Sequence, residues 1–536
     1  MKKALALLLG IAAVIGVAVA AMSVLRTPRP PPNVIVILWD TVRADRLSMY
    51  GYELPTTPRM AAWAESNGVI YEQAVSPAMW TVPSHASLFT GLAPSTHGAG
   101  YDHRWLDNHN VTLAEHFGAS GYDTYAFSAN PNLSPSRVNL LQGFEHRDLS
   151  WSRKWRKKVV EHTRTKLMRR DRSTEISPAN KQKQQTVGFY NAGPVTHEAL
   201  TTWLDSRTEP DKPFFAYLSY MEAHKPRVPF VDSRTAVTDR ETVQLGLQTD
   251  LTFKSQLLYS YDRKAYTPEE LEAVNRVYDA TLIDLDNATA DLLDDLQARG
   301  VLDNTIVVFT SDHGEQLGEH QQFGHRSGVY QQLLHVPLII AYPGTLSPQR
   351  VATPVSNLDV YNTLLELAGL DKPDSAFSRG NLADIGKLVE QAVFAESISI
   401  DRLGFGKVKK LFPDLTRDVW ATKFRAVRMG EWKLIASIDF DTDELVRHEL
   451  YHVAEDPFEA REVSEQHPDE AARLSAALQT WRESLPLWDQ VSADEDNSET
   501  TPEMKKQLAL LGYTEEEEED EDEVAEDTGA APEPEQ

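Results

Sequence analysis

Apolar and polar positions along this chain fall into two periods. Asn33-Val-Ile-Val-Ile-Leu38 is an unbroken β-branched and aliphatic run, the pattern of a strand covered on both faces in a parallel sheet. Thr305-Ile-Val-Val-Phe-Thr-Ser311, Val336-Pro-Leu-Ile-Ile-Ala341 and Pro213-Phe-Phe-Ala-Tyr-Leu218 read as further buried strands. A helical period fills Leu271 to Arg299, just ahead of the Thr305 run. Trp80 to Leu88 reads as a turn entering a helix, with Pro83 near its first position. Strands alternating with helical stretches over several hundred residues predict an α/β domain with helices on both faces of a sheet.

The two ends break this pattern. After Lys2 and Lys3, the 22 residues from Ala4 to Leu25 are uncharged and mostly apolar. As a helix they span about 33 Å, enough to cross a hydrocarbon core. Ala18-Val19-Ala20 also resembles a cleavage site, so residues 1–25 read either as a membrane anchor or as a signal peptide. Both readings export the remainder, and the two lysines keep the short end inside. A Pro-rich linker, 26–32, follows. At the other end, Glu515 onward holds thirteen of the chain's acids and no base, which leaves −14 of the −27 net charge upstream. Residues 514–536 are therefore expected to be a solvated acidic tail.

Composition narrows the chemistry. The absence of cysteine excludes disulfides, thiolate metal sites and a cysteine nucleophile. The acidic balance argues against a duplex nucleic-acid partner, which would be held by clustered Lys and Arg. Asp40 follows the first strand and Asp312-His313 the Thr305 strand, and ligands in open α/β sheets collect at such carboxyl ends. Two hard oxygens and an imidazole suit Mn, Mg, Zn or Ca. Thr81 would sit at the positive end of its helix, and metal coordination is one of the few ways to activate a threonine hydroxyl.

These segments resemble the sulfatase-like branch of the alkaline phosphatase superfamily over about Asn33 to Tyr513. The resemblance rests on Val36-Ile-Leu-Trp-Asp40-Thr-Val-Arg43-Ala-Asp45 with Tyr50-Gly-Tyr52, Thr56-Thr-Pro58, Trp80 to Gly91, and Met221-Glu-Ala-His224-Lys-Pro226. Asn304 to Glu319 with Gly324-His325, His335-Val-Pro337, Glu449 to Pro457 and Leu508 to Tyr513 continue it. It implies a mixed, mostly parallel sheet with helices on both faces over 33–380, carrying a basic insertion at 151–186. A smaller antiparallel subdomain and helix would fill 381–513.

Sulfatases carry Cys or Ser in C/S-x-P-x-R and convert it to formylglycine. Here the frame reads Thr81-Val82-Pro83-Ser84-His85, and oxidised threonine would be a ketone. The pattern is similar to threonine-dependent phosphoglycerol and phosphoethanolamine transferases and to phosphonate and phosphodiester hydrolases. That resemblance implies one divalent metal on Asp40, Thr81, Asp312 and His313, with Thr81 as nucleophile. His224 and His325 become the leaving-group acids, and His85 a contact to substrate or nucleophile. Tyr220 stands where two-metal relatives carry a ligand aspartate, which favours a single metal.

Each residue also has a plainer reading: Asp40 or Thr81 as a helix cap, the histidines as satisfied structural groups, Lys225 and Arg227 as loop charges. Glu315 and Glu319 read as exposed or supporting groups. Arg153 to Lys183 holds twelve Lys or Arg, with Trp151, Trp155 and Val159 on one possible helical face, which suggests contact with an anionic membrane surface or a solvated excursion. Three functions stay open: a hydrolase or transferase of phosphoesters or phosphonate esters, a sulfatase working without formylglycine, and a non-catalytic binding homologue. The substrate is an anionic ester, with a lipid headgroup or membrane-linked polymer suggested by the anchor. The expected location is extracytoplasmic, facing the periplasm or exterior.

Overall fold

The computed structural model describes residues 29–167, 191–373, 380–388, 391–398, 408–416 and 421–488. The N-terminal apolar stretch, the insertion beyond 167, Leu508 to Tyr513 and the acidic tail lie outside them. Among the described residues no helix is long and apolar enough to cross a membrane.

The predicted strands form where the apolar runs place them: β1 (Asn33–Trp39), β5 (Phe214–Tyr220), β6 (Thr305–Thr310) and β9 (His335–Ala341). They join β2 (Gly68–Val75), β3 (Asp123–Ser128), β4 (His146–Leu149), β10 (Gln349–Val351) and β11 (Val355–Ser356). The order is β10-β2-β9-β6-β1-β5-β3-β4, with β11 also on β2, while β7 (Gln316–Leu317) and β8 (Phe323–Gly324) pair on their own. Within the large sheet every pairing is parallel except those of β9, which runs against both β2 and β6. This is the expected mixed, mostly parallel sheet.

Side-chain alternation on β1 shows why its run is apolar throughout. Val34, Val36 and Leu38 enter one core, with helices Thr81–Thr90, Leu113–Ala119 and Asp359–Leu367. Ile35, Ile37 and Trp39 enter the other, with helices Pro58–Asn67, Gly193–Ser206 and Pro268–Ala298. The last helix opens with Pro268 at its first turn and a Thr267–Glu270 capping box, the start signal that fixes its boundary.

β12 (Val393–Ser397), β13 (Thr422–Met429), β14 (Trp432–Asp439) and β15 (Leu445–His452) form a separate antiparallel sheet in that order. One face, with Val393, Ala426 and Ile435, packs on the main domain, and the other, with Val427 and Leu434, packs under helix Pro468–Ser484.

One expectation is corrected. Trp155 and Val159, read as a membrane-facing pair, point into the main core, and Trp155 stacks edge-on to Phe127. Helix Arg156–Leu167 therefore offers its apolar face to the protein. Two of the nearby lysines are also paired: Lys154 with Asp148 and Lys158 with Glu198.

Candidate metal centre and active site

Parallel pairing brings the carboxyl ends of β6, β1, β5 and β3 side by side, and each delivers a polar residue. Asp312 and His313 follow β6, Asp40 follows β1, His224 lies four residues past β5, and Asn130 lies two past β3. The end of β2 leads into helix Thr81–Thr90, which sets Thr81 at that helix's first position.

Asp40, Asp312 and His313 place one potential ligand atom each within 4.8 Å of one another. All three are buried. Asp312 Oδ1 accepts the backbone N–H of Thr41 at 3.2 Å and of His313 at 2.9 Å, leaving Oδ2 buried with no hydrogen-bond partner. Asn130 donates to Asp40 Oδ2 at 2.5 Å, and Oδ1 is left buried without one. The His313 Nδ1–H donates to the Gly314 carbonyl at 2.8 Å, so the tautomer leaves a lone pair on Nε2, again buried and without a partner. Buried polar atoms are normally hydrogen-bonded, so three unsatisfied ligand atoms facing one another fit a divalent cation.

Electrostatics agree. Burial, and then Asp312, push the Asp40 carboxyl well up, and burial pushes Asp312 up as well. Burial lowers His313 to about 4, which keeps its imidazole neutral and able to ligate.

The plainer reading of Thr81 fails on geometry. Trp80, not Thr81, occupies the cap position, and Thr81 Oγ1 is buried with no hydrogen-bond partner. The first turn is clamped to the acid cluster: Ser84 and Ser76 hydroxyls both donate to the Asp312 carbonyl at 2.5 Å. Gly314 allows the return chain to pass, since a Cβ there would lie 2.0 Å from the Gln332 carbonyl oxygen.

Of the two contacts expected of His85, to substrate or to the nucleophile residue, the structure shows the one to Thr81. The His85 Nδ1–H donates to the Thr81 carbonyl at 2.8 Å and its Nε2 accepts from the Tyr217 hydroxyl at 2.7 Å, so both nitrogens are engaged by the protein. Nδ1 also lies 3.6 Å from Asp312 Oδ2, which makes His85 a strut between Thr81 and the acid cluster.

His325 and His224 do come together beside the cluster. The His325 ring is 4.4 Å from His313 and 5.2 Å from His224, centre to centre. His325 Nδ1 meets Glu315 Oε1 at 3.0 Å and His224 Nδ1 meets the Lys225 carbonyl at 2.6 Å. Burial lowers both imidazoles, His325 to about 4. Thr81, Asp40 and His313 expose 0% of their surface, and His224 and His325 only 3% and 6%. Glu315 is the buried support between His325 and Arg227, whose Nη2 lies 2.5 Å from Oε2. Arg227 is thereby engaged internally and is not an anion contact. Glu319 likewise pairs with buried Arg43 at 2.8 Å. Further along from helix Thr81–Thr90, His97 meets Ser87 Oγ at 3.1 Å and His103 meets Asp107 at 2.9 Å, as structural groups do.

Two residues of the site escaped the sequence reading. Asn130 carried the same signal as Asp40, a polar residue after an apolar strand. Thr41 carried none: its backbone has φ +60°, unusual for a β-branched residue, and its Oγ1 is buried beside Asp40 without a hydrogen-bond partner.

Fold and site together define an alkaline-phosphatase-like fold that carries a candidate divalent-metal group at its strand ends. Residues 32–370, more than half the chain, match the Sulfatase family, and the chain belongs to it. It is 27% identical to an ulvan-active sulfatase of Formosa agariphila over 352 residues, 64% of this chain and 63% of that protein. The match thus spans less than two thirds of that relative's length. It is 23% identical to a choline-sulfatase of Rhizobium meliloti, covering 83% of this chain and 85% of that one. In fold it is similar to the phosphonate monoester hydrolase of Agrobacterium radiobacter, with TM-score 0.62, 24% identity, and coverage of 84% and 95%. Sulfatase-family enzymes use a divalent metal, and Asp40, Asp312 and His313 form the group that fits one.

The raised Asp40 carboxyl gives a test. In the metal-free protein its buried charge weakens the fold at neutral pH, and that penalty fades as pH falls through its elevated pKa. Millimolar Mn, Mg, Ca or Zn should therefore raise the melting temperature at pH 7.5 by about 3 °C or more, and by less at pH 5, where the ion must displace a proton. Asp40→Asn should hold or raise the metal-free melting temperature while abolishing the metal response. Indifference of the wild type to all four ions would refute the site.

Proposed function

We propose that this sulfatase-family enzyme cleaves phosphoester or phosphonate-ester bonds through a covalent Thr81 intermediate. The observation that carries the reading is the Thr81 hydroxyl, buried without a hydrogen-bond partner on a helix turn clamped to Asp312. A buried hydroxyl with no structural task, on a turn tied to the carbonyl of Asp312, suits a nucleophile. Threonine also argues for phosphorus over the usual sulfatase route, because it has no oxidation path to an aldehyde.

Asp40, Thr81, Asp312 and His313 would hold the divalent ion, which when bound supplies Lewis acidity toward the threonine oxygen and the ester oxygens. Thr81 Oγ1 forms a bond to phosphorus as its proton passes to a neighbouring imidazole that burial holds neutral, and the bond from phosphorus to the leaving oxygen breaks in line, that oxygen taking a proton from the imidazolium. His85 fixes the turn that aims Oγ1 by holding the Thr81 carbonyl. His325 and His224 both have Nδ1 committed, and either ring, once protonated, can pass a proton to the leaving oxygen. The Glu315 carboxylate 3.0 Å from His325 supports its imidazolium form once the anionic ester is bound. Water, or an acceptor alcohol, then attacks the phosphothreonine and returns the threonine hydroxyl.

A second reading, a sulfate ester taken by the same residues without formylglycine, is favoured by the family and by the names of the relatives. The apolar stretch 4–25 supports placing the enzyme outside the cytoplasm, within reach of a lipid headgroup or membrane-linked polymer. Carbonate extraction of membranes checks this: retention in the pellet marks an anchor, release a cleaved signal, and a purely cytoplasmic protein contradicts both.

One panel tests the chemistry. With metal present, an aryl phosphodiester and a phosphonate monoester should turn over faster than a phosphomonoester or an aryl sulfate, and Thr81→Ala should lose about four orders of magnitude or more. Full activity of Thr81→Ala removes the nucleophile assignment, and preference for the sulfate promotes the second reading.

A further inference from the structure

Behind the Thr81 turn a polar contact sits inside an otherwise apolar core. Tyr217 lies in the middle of β5, paired with Val36 of β1 and three residues before the strand end at Tyr220. Its side chain is fully buried and enters the same core as Val36, Val82, Ala86 and Phe89. The ring packs edge-on against Phe89 at 4.9 Å and lies 6.3 Å from Phe144, centre to centre. A phenylalanine would make every one of these contacts. The hydroxyl is what packing does not account for, and it meets His85 Nε2 at 2.7 Å. Burying a hydroxyl and an imidazole in such a core costs free energy that their mutual hydrogen bond offsets without surplus, so stability alone does not call for the pair.

The direction of this hydrogen bond follows from its far end. The Thr81 carbonyl has no proton to give, so His85 Nδ1, 2.8 Å away, carries the hydrogen. Burial keeps the ring neutral, which leaves Nε2 as an acceptor and makes the Tyr217 hydroxyl the donor. Tyr217, His85 and the Thr81 carbonyl therefore form one brace from the middle of the sheet to the first residue of helix Thr81–Thr90. Its footing also holds the first acid, because the Asp40 N–H donates to the Tyr220 carbonyl at 2.9 Å. One strand thus sets Asp40 directly and Thr81 through two side chains.

We propose that Tyr217 is a positioning residue for the nucleophile: by donating to Nε2 it fixes the His85 tautomer that holds the Thr81 carbonyl, and so sets where Oγ1 stands relative to Asp40 and Asp312. Its effect on rate rests on the reading of Thr81 as nucleophile, whereas the tautomer rests on geometry alone. With the hydroxyl gone, the proton is free to move to Nε2. Nδ1 then faces, as an acceptor, a carbonyl that cannot donate, and the turn loses its tie. Misplacing a reacting atom by about 1 Å costs up to about 100-fold in rate.

Two measurements on the full chain test this. With metal present and an aryl phosphonate monoester as substrate, Tyr217→Phe should lower kcat about 10- to 100-fold, with KM changed by less than about twofold and the metal-induced rise in melting temperature kept. His85→Asn supplies an amide N–H for the Thr81 carbonyl that needs no help from Tyr217. Adding Tyr217→Phe to His85→Asn should therefore cost less than about twofold more, while a packing defect would cost the same in both backgrounds. Nitrogen-15 NMR of histidine-labelled, metal-free protein reads the tautomer without any turnover. His85, identified as the signal missing from His85→Asn, should carry its proton on Nδ1 in the wild type and on Nε2, or on both in exchange, in Tyr217→Phe. An unchanged tautomer, an unchanged kcat, or equal losses in both backgrounds would overturn the proposal. The two readings fail separately. An active Thr81→Ala beside a shifted tautomer removes the nucleophile and leaves the brace, whereas an inert Thr81→Ala beside a fully active Tyr217→Phe removes the positioning role and leaves the nucleophile.

Discussion

Two carboxylates buried in one closed chamber set the terms for everything around them. Asp40 and Asp312 have no exposed surface to speak of, and each turns one oxygen to the other without a protein donor. Removing such charges from water costs several kcal/mol each unless a cation answers them. The neighbouring guanidinium groups do not, because Arg43 is committed to Asp45 and Glu319 and Arg227 to Glu315. The surrounding imidazoles are held neutral by burial. Burial favours the protonated form of Asp40, and the same unmatched ligand atoms fit a divalent ion. The backbone amides, serine hydroxyls and Asn130 that grip the two acids hold them in place at the strand ends while leaving the imbalance intact.

Much of this could be read without coordinates, because strand-end chemistry is local. An apolar run followed by Asp40, and another followed by Asp312-His313, locates ligands on a parallel sheet whatever the rest of the chain does. The long helix was legible too, but the sequence pattern starts it at Leu271, inside the Pro268 turn and capping box that begin it. What escaped depends on partners far apart in the chain. His85 looked free to face substrate until Tyr217, 132 residues later, met its second nitrogen. Trp155 and Val159 share a helical face with any direction open to it, and only the packing of Phe127 and its neighbours shows that the face turns inward. Thr41 adopts a left-handed backbone that its side chain disfavours, a strain imposed by the site with no mark in the residue type. The N-terminal stretch and the acidic tail lie outside the described residues.

The small sheet does more than cap the domain. Glu396 reaches from β12 to hold Ser95 in the segment after helix Thr81–Thr90. Buried Lys433 meets Glu459 at 2.7 Å, and the same carboxylate accepts the backbone N–H of Gln331 at 2.6 Å. Gln331 ends the excursion between β6 and β9 that carries Glu315 and His325. The acid side of the site and the nucleophile side are thus each tied to the same sheet, so their relative position depends on its docking. Removing one member of the Lys433–Glu459 pair would leave a buried charge unpaired beside that excursion.

The central claim is that Thr81 becomes covalently attached to the substrate's phosphorus. Rapid acid quench of the metal-loaded enzyme during turnover of an aryl phosphonate monoester, followed by peptide mass mapping, reads this directly. The account predicts a phosphonyl adduct on the peptide containing Thr81, appearing before the steady state and absent from Thr81→Ala. Product formation with no adduct at any time, or an adduct on another residue, would contradict it.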